Sequence, residues 1–275
     1  MRPTLSPDLS VRTMYSQQFL DSLPIVVVFV LFAIAALAVF EAGYRTGVWW
    51  QTRTPDEKEG PTGAIVGSIL ALMAFLLAVT MGMASDRFDT RRQLVVTEAN
   101  AIGTTYLRAG YLPEAVATDA RELIREYVPL RITTADRDQL AANYARSVEI
   151  QGELWAQAEE LARTTPSSET LALYIETLNE MIDVLETRVT AIVYARVPDT
   201  VVILLIIGAI LTLGMVGYSA GLTRRRSLLS AVVLIVVLGA VITLVVDLDR
   251  PRDGFLQVNQ QPLLDLAAQV GAPAP

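Results

Sequence analysis

An all-α integral membrane protein is the fold class the sequence predicts, with four transmembrane helices and a helical-bundle insert between the second and third. Three observations predict it. The mean hydropathy of +0.42 is too apolar for one soluble domain. The apolar residues are gathered into four uncharged runs, 23–40, 63–84, 201–222 and 228–246. A polar stretch, 85–198, parts the second run from the third. Each run has, or nearly has, the roughly 20 helical residues that cross a hydrocarbon core. In lipid only helices or closed barrels satisfy the backbone. The runs lack the apolar/polar alternation of barrel strands, so helices are the reading.

The organisation that follows is a polar, interfacial segment 1–22, two spans in 23–84, the bundle in 85–198, two spans in 199–248 and a tail 249–275. Ser6-Pro7 reads as an N-cap with proline in the first turn, followed by a short surface helix over 8–21. The first run begins at residue 23, lacks a small-residue cleavage site and ends at Glu41-Ala42-Gly43-Tyr44, so a cleaved signal peptide is not expected. Trp49 and Trp50 in the following loop suit the headgroup region.

The insert reads as four helices. The first, 85–109, continues the second span with no Gly or Pro at the junction and carries the stripe Phe88, Val95, Ala99, Ile102, Tyr106, Ala109. Gly110-Tyr111-Leu112-Pro113 breaks it. The second starts at Pro113 and fades near Pro129. The third follows Thr133/Thr134 as N-caps and runs to Arg163, with Leu140, Tyr144, Val148, Trp155 and Leu161 as its core face. The fourth, 169–197, repeats Leu171, Ile175, Leu178, Ile182, Leu185, Val189 and Ile192 at steps of four and three, a coiled-coil-like seam. An even number of helices puts the N-terminus, insert and tail on one side of the membrane. The density of basic residues in the two short loops leans toward an external insert, whereas the raw count favours the opposite.

Composition excludes several functions. There is no cysteine, hence no disulfide or thiol chemistry, and no histidine, hence no zinc site of the usual kind, no haem held by His and no His acid–base catalysis. The net charge is −7, and 85–198 alone holds 18 Asp/Glu against 12 Lys/Arg, which disfavours nucleic acid as a partner. GxSxG, P-loop, HExxH and CxxC patterns are missing, so no enzyme, catalytic residue, cofactor or metal is expected.

Three groups of residues stand out. The second span carries a small-residue stripe, Ala64, Gly67, Ser68, Ala71, Ala74, Ala78 and Gly82, and the third span another, Gly214, Gly217 and Gly221. Such faces let helices approach closely. The alternative is a pore-lining face in an oligomer, with Ser68, Thr80 and Thr212 as its polar groups. No charge sits inside a span, which argues against a proton relay. Asp86, Arg87, Asp89, Arg91 and Arg92 after the second span face Asp247, Asp249, Arg250 and Asp253 after the fourth. Ion pairing between these clusters would anchor the spans. An arginine ring at a pore mouth that attracts anions is the alternative, and divalent-cation binding by Asp247, Asp249 and Asp253 a third. Glu98, Asn100 and Arg108 are candidate buried polar residues, with Asn179, Glu180 or Asp183 as partners across the bundle, or else a ligand site. Glu176, Glu180, Asp183 and Glu186 otherwise form a solvated face.

The segments LAVTMGMASDRFDTRRQLVVTEANAIGTTYLRAGYLP and DLDRPRDGF resemble those of a bacterial membrane family labelled bestrophin-like. YVPLR (127–131), LNEMID (178–183) and QQPLLDL (260–266) are similar to its quieter segments, so the likeness covers nearly the whole chain. The resemblance implies a multi-pass protein of the bacterial plasma (inner) membrane. The label points to bestrophins, pentameric anion channels with four spans per subunit and with termini and helical regions in the cytosol, opposite to the charge-density lean. No match to their hydrophobic neck or calcium clasp is present. The expectation is a homo-oligomeric channel surrounded by membrane lipid, with an inorganic anion as permeant partner. The alternative is a non-conducting interaction or sensor protein whose bundle binds a partner or ligand.

Overall fold

The computed structural model describes residues 23–54, 59–132, 136–193, 196–224, 226–250 and 254–273. Regular structure among them is helical: α1 Ile25–Arg53, α2 Glu59–Arg108, a 3-10 turn Ala109–Tyr111, α3 Glu114–Leu130, α4 Arg137–Thr164, α5 Glu169–Val193, α6 Asp199–Leu222, α7 Leu228–Asp249 and α8 Gln261–Val270. The helix expected over 8–21, the Thr133/Thr134 caps and Asp253 lie outside the described residues.

The chain forms two compact units, Phe88–Ala195 with Gln257–Pro275, and Gln17–Arg87 with Arg196–Leu256. Helix α2 contributes to both, because nothing between the apolar run and Arg108 breaks it. Four helices, α1, α2, α6 and α7, are long and apolar enough to cross a membrane. At most 39% of each one's apolar window is buried within the chain, so most of that surface must be covered by lipid or other subunits.

In the membrane unit, Phe32 and Ala36 of α1, Met73 and Leu77 of α2, Leu213 of α6 and Ile242 of α7 meet in one apolar cluster. Helices α1 and α6 pack closest, and glycine is the reason. A Cβ on Gly217 would lie 2.1 Å from the Phe40 carbonyl oxygen, and one on Gly43 2.1 Å from that of Gly214. Backbones approach this closely in membranes where small residues permit it. The glycines of the third span therefore serve packing.

In the bundle unit, α2 beyond the membrane run supplies Val95 and Ile102, α3 Ile124 and Tyr127, α4 Ile150 and Leu154, and α5 Tyr174 and Leu178 to a common core. The seam on α5 is broader than its heptad pattern, since Tyr174, Met181 and Val184 are buried while Ile175, Ile182 and Val189 are half-buried. Two expectations need correction. The core face of α4 consists of Ser147, Ile150, Gln151, Leu154 and Ala158, leaving Val148 and Trp155 exposed. The helix is capped by Asp136, whose carboxylate accepts the N–H groups of Asp138 (2.9 Å) and Gln139 (3.4 Å). The tail carries a helix of its own. Pro262 near its start and Gly271 past its end, at φ 66°, delimit α8, whose Leu263, Leu266, Ala267 and Val270 enter the bundle core.

Candidate functional site

Helix α2 carries the first candidate surface. Val66, Met73, Leu77, Thr80 and Ala84 face the chain's own interior. Helical periodicity then turns Gly67, Ala71, Ala74, Ala78 and Gly82 onto another face, and all five are exposed, as is Ser68. A Cβ added at Gly67 or Gly82 would meet nothing within 4 Å. The stripe is thus not a packing face within one chain. Ile65, Leu72, Phe75 and Val79 form a further exposed face, one of large side chains. The expected polar groups divide. Ser68 stays on the surface, while Thr80 and Thr212 are buried, each hydroxyl donating to its own helix at Leu76 (2.8 Å) and Gly208 (2.6 Å). Thr80 and Thr212 therefore cannot line a face open to an ion.

Beyond the membrane run, Asp86, Asp89 and Arg92 are exposed and Arg87 is half-buried, whereas Arg91 is buried. The burial of Arg91 removes it from any ring of mobile surface charges.

The charged end of α7 is a knot of buried hydrogen bonds. Asp247, Asp249 and Arg250 are each at most 4% exposed. The Asp247 carboxylate accepts the N–H groups of Phe255 (2.8 Å) and Leu256 (3.0 Å), folding the chain back after the helix. A Cβ on Gly254 would stand 2.7 Å from that carboxylate, so any larger residue would have to displace it. Asp249 accepts the Val197 N–H at 2.8 Å, just before α6, and pairs with Arg196 at 3.4 Å. Arg250 donates to the Leu23 carbonyl at 2.8 Å, just before α1. One short motif therefore joins the ends of three spans. Beside the Asp249–Arg196 ion pair, the Asp247 carboxylate and the Arg250 guanidinium hold backbone groups. No group of residues suited to a metal ion occurs among the described residues.

The bundle core holds the strongest electrostatic feature. Glu98 is fully buried between two guanidiniums. Arg131, at the C-terminal cap of α3, donates to one carboxylate oxygen at 2.7 Å, and Arg188 of α5 to the other. Arg131 also reaches the Ser147 hydroxyl at 3.4 Å. Arg188 also reaches the Arg131 carbonyl at 3.1 Å and the Gln260 side chain at 2.9 Å. Desolvation pushes the Glu98 pKa upward, but the charges and hydrogen bonds of Arg131 and Arg188 outweigh it, holding the carboxyl below its ordinary value. Two arginines thus hold one carboxylate of α2 and link it to α4 through Ser147 and to the residue before α8, Gln260. Nearby, burial pushes the Tyr127 pKa well upward, and Gln151 donates to its hydroxyl at 3.0 Å.

Burial of Glu98 matches its expected placement, but the partners and neighbours differ. Asn179 pairs with Asp183 along α5 at 2.9 Å, on the exposed face. Asn100 is exposed, not buried. Two residues along a helix turn a side chain by about 200°, so burying Glu98 points Asn100 outward. Arg108 is half-buried, donating to the Leu173 carbonyl at 2.7 Å and pairing with Glu176 at 3.4 Å. Arg131 and Arg188 were missed. Their only sequence signal is a basic residue on an otherwise apolar helical stripe.

A family model described as the Bestrophin-like domain matches residues 27–263. Among solved structures, the chain is similar to a tyrosine-to-alanine variant of a bacterial Bestrophin homolog from Klebsiella pneumoniae. The TM-score is 0.64 at 16% identity, covering 89% of this chain and 99% of that one. A second structure of a Klebsiella pneumoniae Bestrophin homolog, phased with zinc, matches with a TM-score of 0.64 at 16% identity, covering 90% of this chain and 95% of that one. A membrane protein with a proline-to-alanine mutation matches with a TM-score of 0.65 at 15% identity, covering 90% and 95% of the respective chains. Identities this low show a shared fold. The comparison with curated proteins finds no match.

Proposed function

The chain belongs to the bestrophin-like family, and from that premise we propose that it forms a homo-oligomeric channel for inorganic anions in the plasma membrane. Helix α2 lies nearest the axis, with Gly67, Ser68, Ala71, Ala74, Ala78 and Gly82 toward the conduit. The observation that carries this reading is the small-residue face of α2, exposed along the whole apolar run and open around Gly67 and Gly82. Packing of one chain leaves this face uncovered. A ring of such faces leaves room for an ion path where bulky side chains would close it. Arg92, exposed, and Arg87, half-buried, extend from the same helix and supply positive charge at the mouth. Asp247, Asp249 and Arg250, being buried, act as anchors. Purified protein in liposomes should pass chloride. Silence across pH, voltage and calcium would refute conduction.

A second reading has one observation in its favour. Val148 and Trp155 are 44% and 40% exposed on α4, and an apolar face of this kind on a water-facing bundle suits a protein partner. An oligomer without an axial hole would favour that reading.

A further inference from the structure

The α7 knot borders a cavity that neither conduction nor anchoring uses. It measures about 420 Å³ and lies between the first two turns of α1 and the last turns of α7. Ile25, Val26 and Phe29 line one wall, Ala240 and Leu244 the other, and Phe255 with Leu256 closes one end. Among the described residues of the lining Asp247 alone is charged, and its two carboxylate oxygens already accept the Phe255 and Leu256 N–H groups. The described lining is thus apolar apart from the Thr243 side chain and a carboxylate already engaged by the backbone.

We infer that this cavity is a binding site for one acyl chain of a bilayer lipid. Location argues for that occupant. Both walls belong to membrane-crossing helices. Val26, Leu244 and Phe255, 56%, 38% and 75% exposed, continue into the bare apolar surface formed by Val30, Val233 and Val237. The solvent of that surface is hydrocarbon, and apolar cavities stay dry and take apolar guests. The wall on α7, from Ala240 to Asp247, is roughly 10 Å tall at 1.5 Å per residue, a length a bent or terminal acyl segment fills. Phe255 is otherwise an aromatic ring held out from the chain. The Asp247 hydrogen bonds fix it as the lip of the site. The knot that joins the span ends thereby also shapes a lipid site, and a bound chain stabilises the fold-back after α7.

The test uses the full chain in liposomes doped with a phosphatidylcholine bearing a diazirine in mid-chain. Photolysis is followed by mapping of the adducts by mass spectrometry. Adducts on Phe29, Thr243 and Leu244 should exceed, severalfold, those on Leu204 and Leu211, which are exposed on α6. Ala240→Phe, at an exposed position, fills the cavity without entering the core and should reduce labelling there to the α6 level. Phe255→Ala, which removes the lip, should do the same. Labelling equal to α6 in the unaltered protein overturns the site. Absence of cavity adducts beside a labelled α6 means that protein covers it, and also overturns it. Chloride flux recorded in the same vesicles separates this inference from the channel reading, because either can fail alone.

Discussion

Replacing Glu98 with glutamine removes the carboxylate that accepts from both Arg131 and Arg188 in the bundle core. Glu98 is 0% exposed, and the arginine side chains are 9% and 5% exposed. Removing one member of a buried ion pair costs about 3–5 kcal/mol, chiefly because the remaining charge stays buried. Here one substitution breaks two pairs, which sets the loss at the upper end. Amide hydrogen exchange of the detergent-solubilised protein reads it directly. Peptides across α4 and α5 should exchange faster by roughly three to four powers of ten, since about 1.4 kcal/mol is tenfold. A control separates electrostatics from shape. Replacing all three residues by apolar ones of similar volume (Glu98→Leu, Arg131→Met, Arg188→Met) should recover most of the protection. If Glu98→Gln exchanges like the unaltered protein, the buried network is not what holds the bundle together.

Gly217→Ala should lower the yield of monodisperse protein, because overpacking costs about 1–3 kcal/mol or more where the obstacle is backbone, while Gly67→Ala, which meets open space, should not. Asp247→Ala leaves two N–H groups without their acceptor, at about 1–3 kcal/mol, and should speed exchange around Phe255 and Leu256 without touching α4. Acid should weaken the bundle in a defined window. Glu98's pKa is lowered on folding, so its contribution is present above the ordinary glutamate value of about 4.3 and is lost as pH falls from there through the depressed value. Fluorescence of Trp155, with Trp49 and Trp50 changed to Phe, should report that loss, and Glu98→Gln should flatten it.

Much of this architecture is legible in the chain. Four uncharged runs predict the spans because lipid leaves the backbone no other choice. The uninterrupted junction at residue 85 predicts the single helix α2, and the Gly110 to Pro113 break predicts its end. The misses have particular causes. Helix α4 offers two overlapping stripes, and periodicity favours the one with Val148 and Trp155. The buried stripe instead uses Ser147, Gln151 and Ala158, whose hydrogen bonds and small size suit a crowded interior. Helix α8 has apolar residues at i, i+3, i+4 and i+7, yet at 10 residues it is shorter than an isolated helix needs and exists because the bundle covers it. The partners of Glu98 lie 33 and 90 positions away, and no local pattern announces a pairing of that range. The small stripe on α2 looked like packing, and only the packed chain reveals that nothing within it fills that face.

The absence of native cysteine makes the central claim directly testable. Ala78→Cys in reconstituted liposomes should conduct chloride and lose that flux on exposure to a water-soluble methanethiosulfonate. Ile34→Cys, on the exposed outer face of α1, should conduct with or without the reagent. Flux through Ala78→Cys that the reagent leaves untouched, or block at Ile34→Cys alone, would contradict the placement of α2 at the axis.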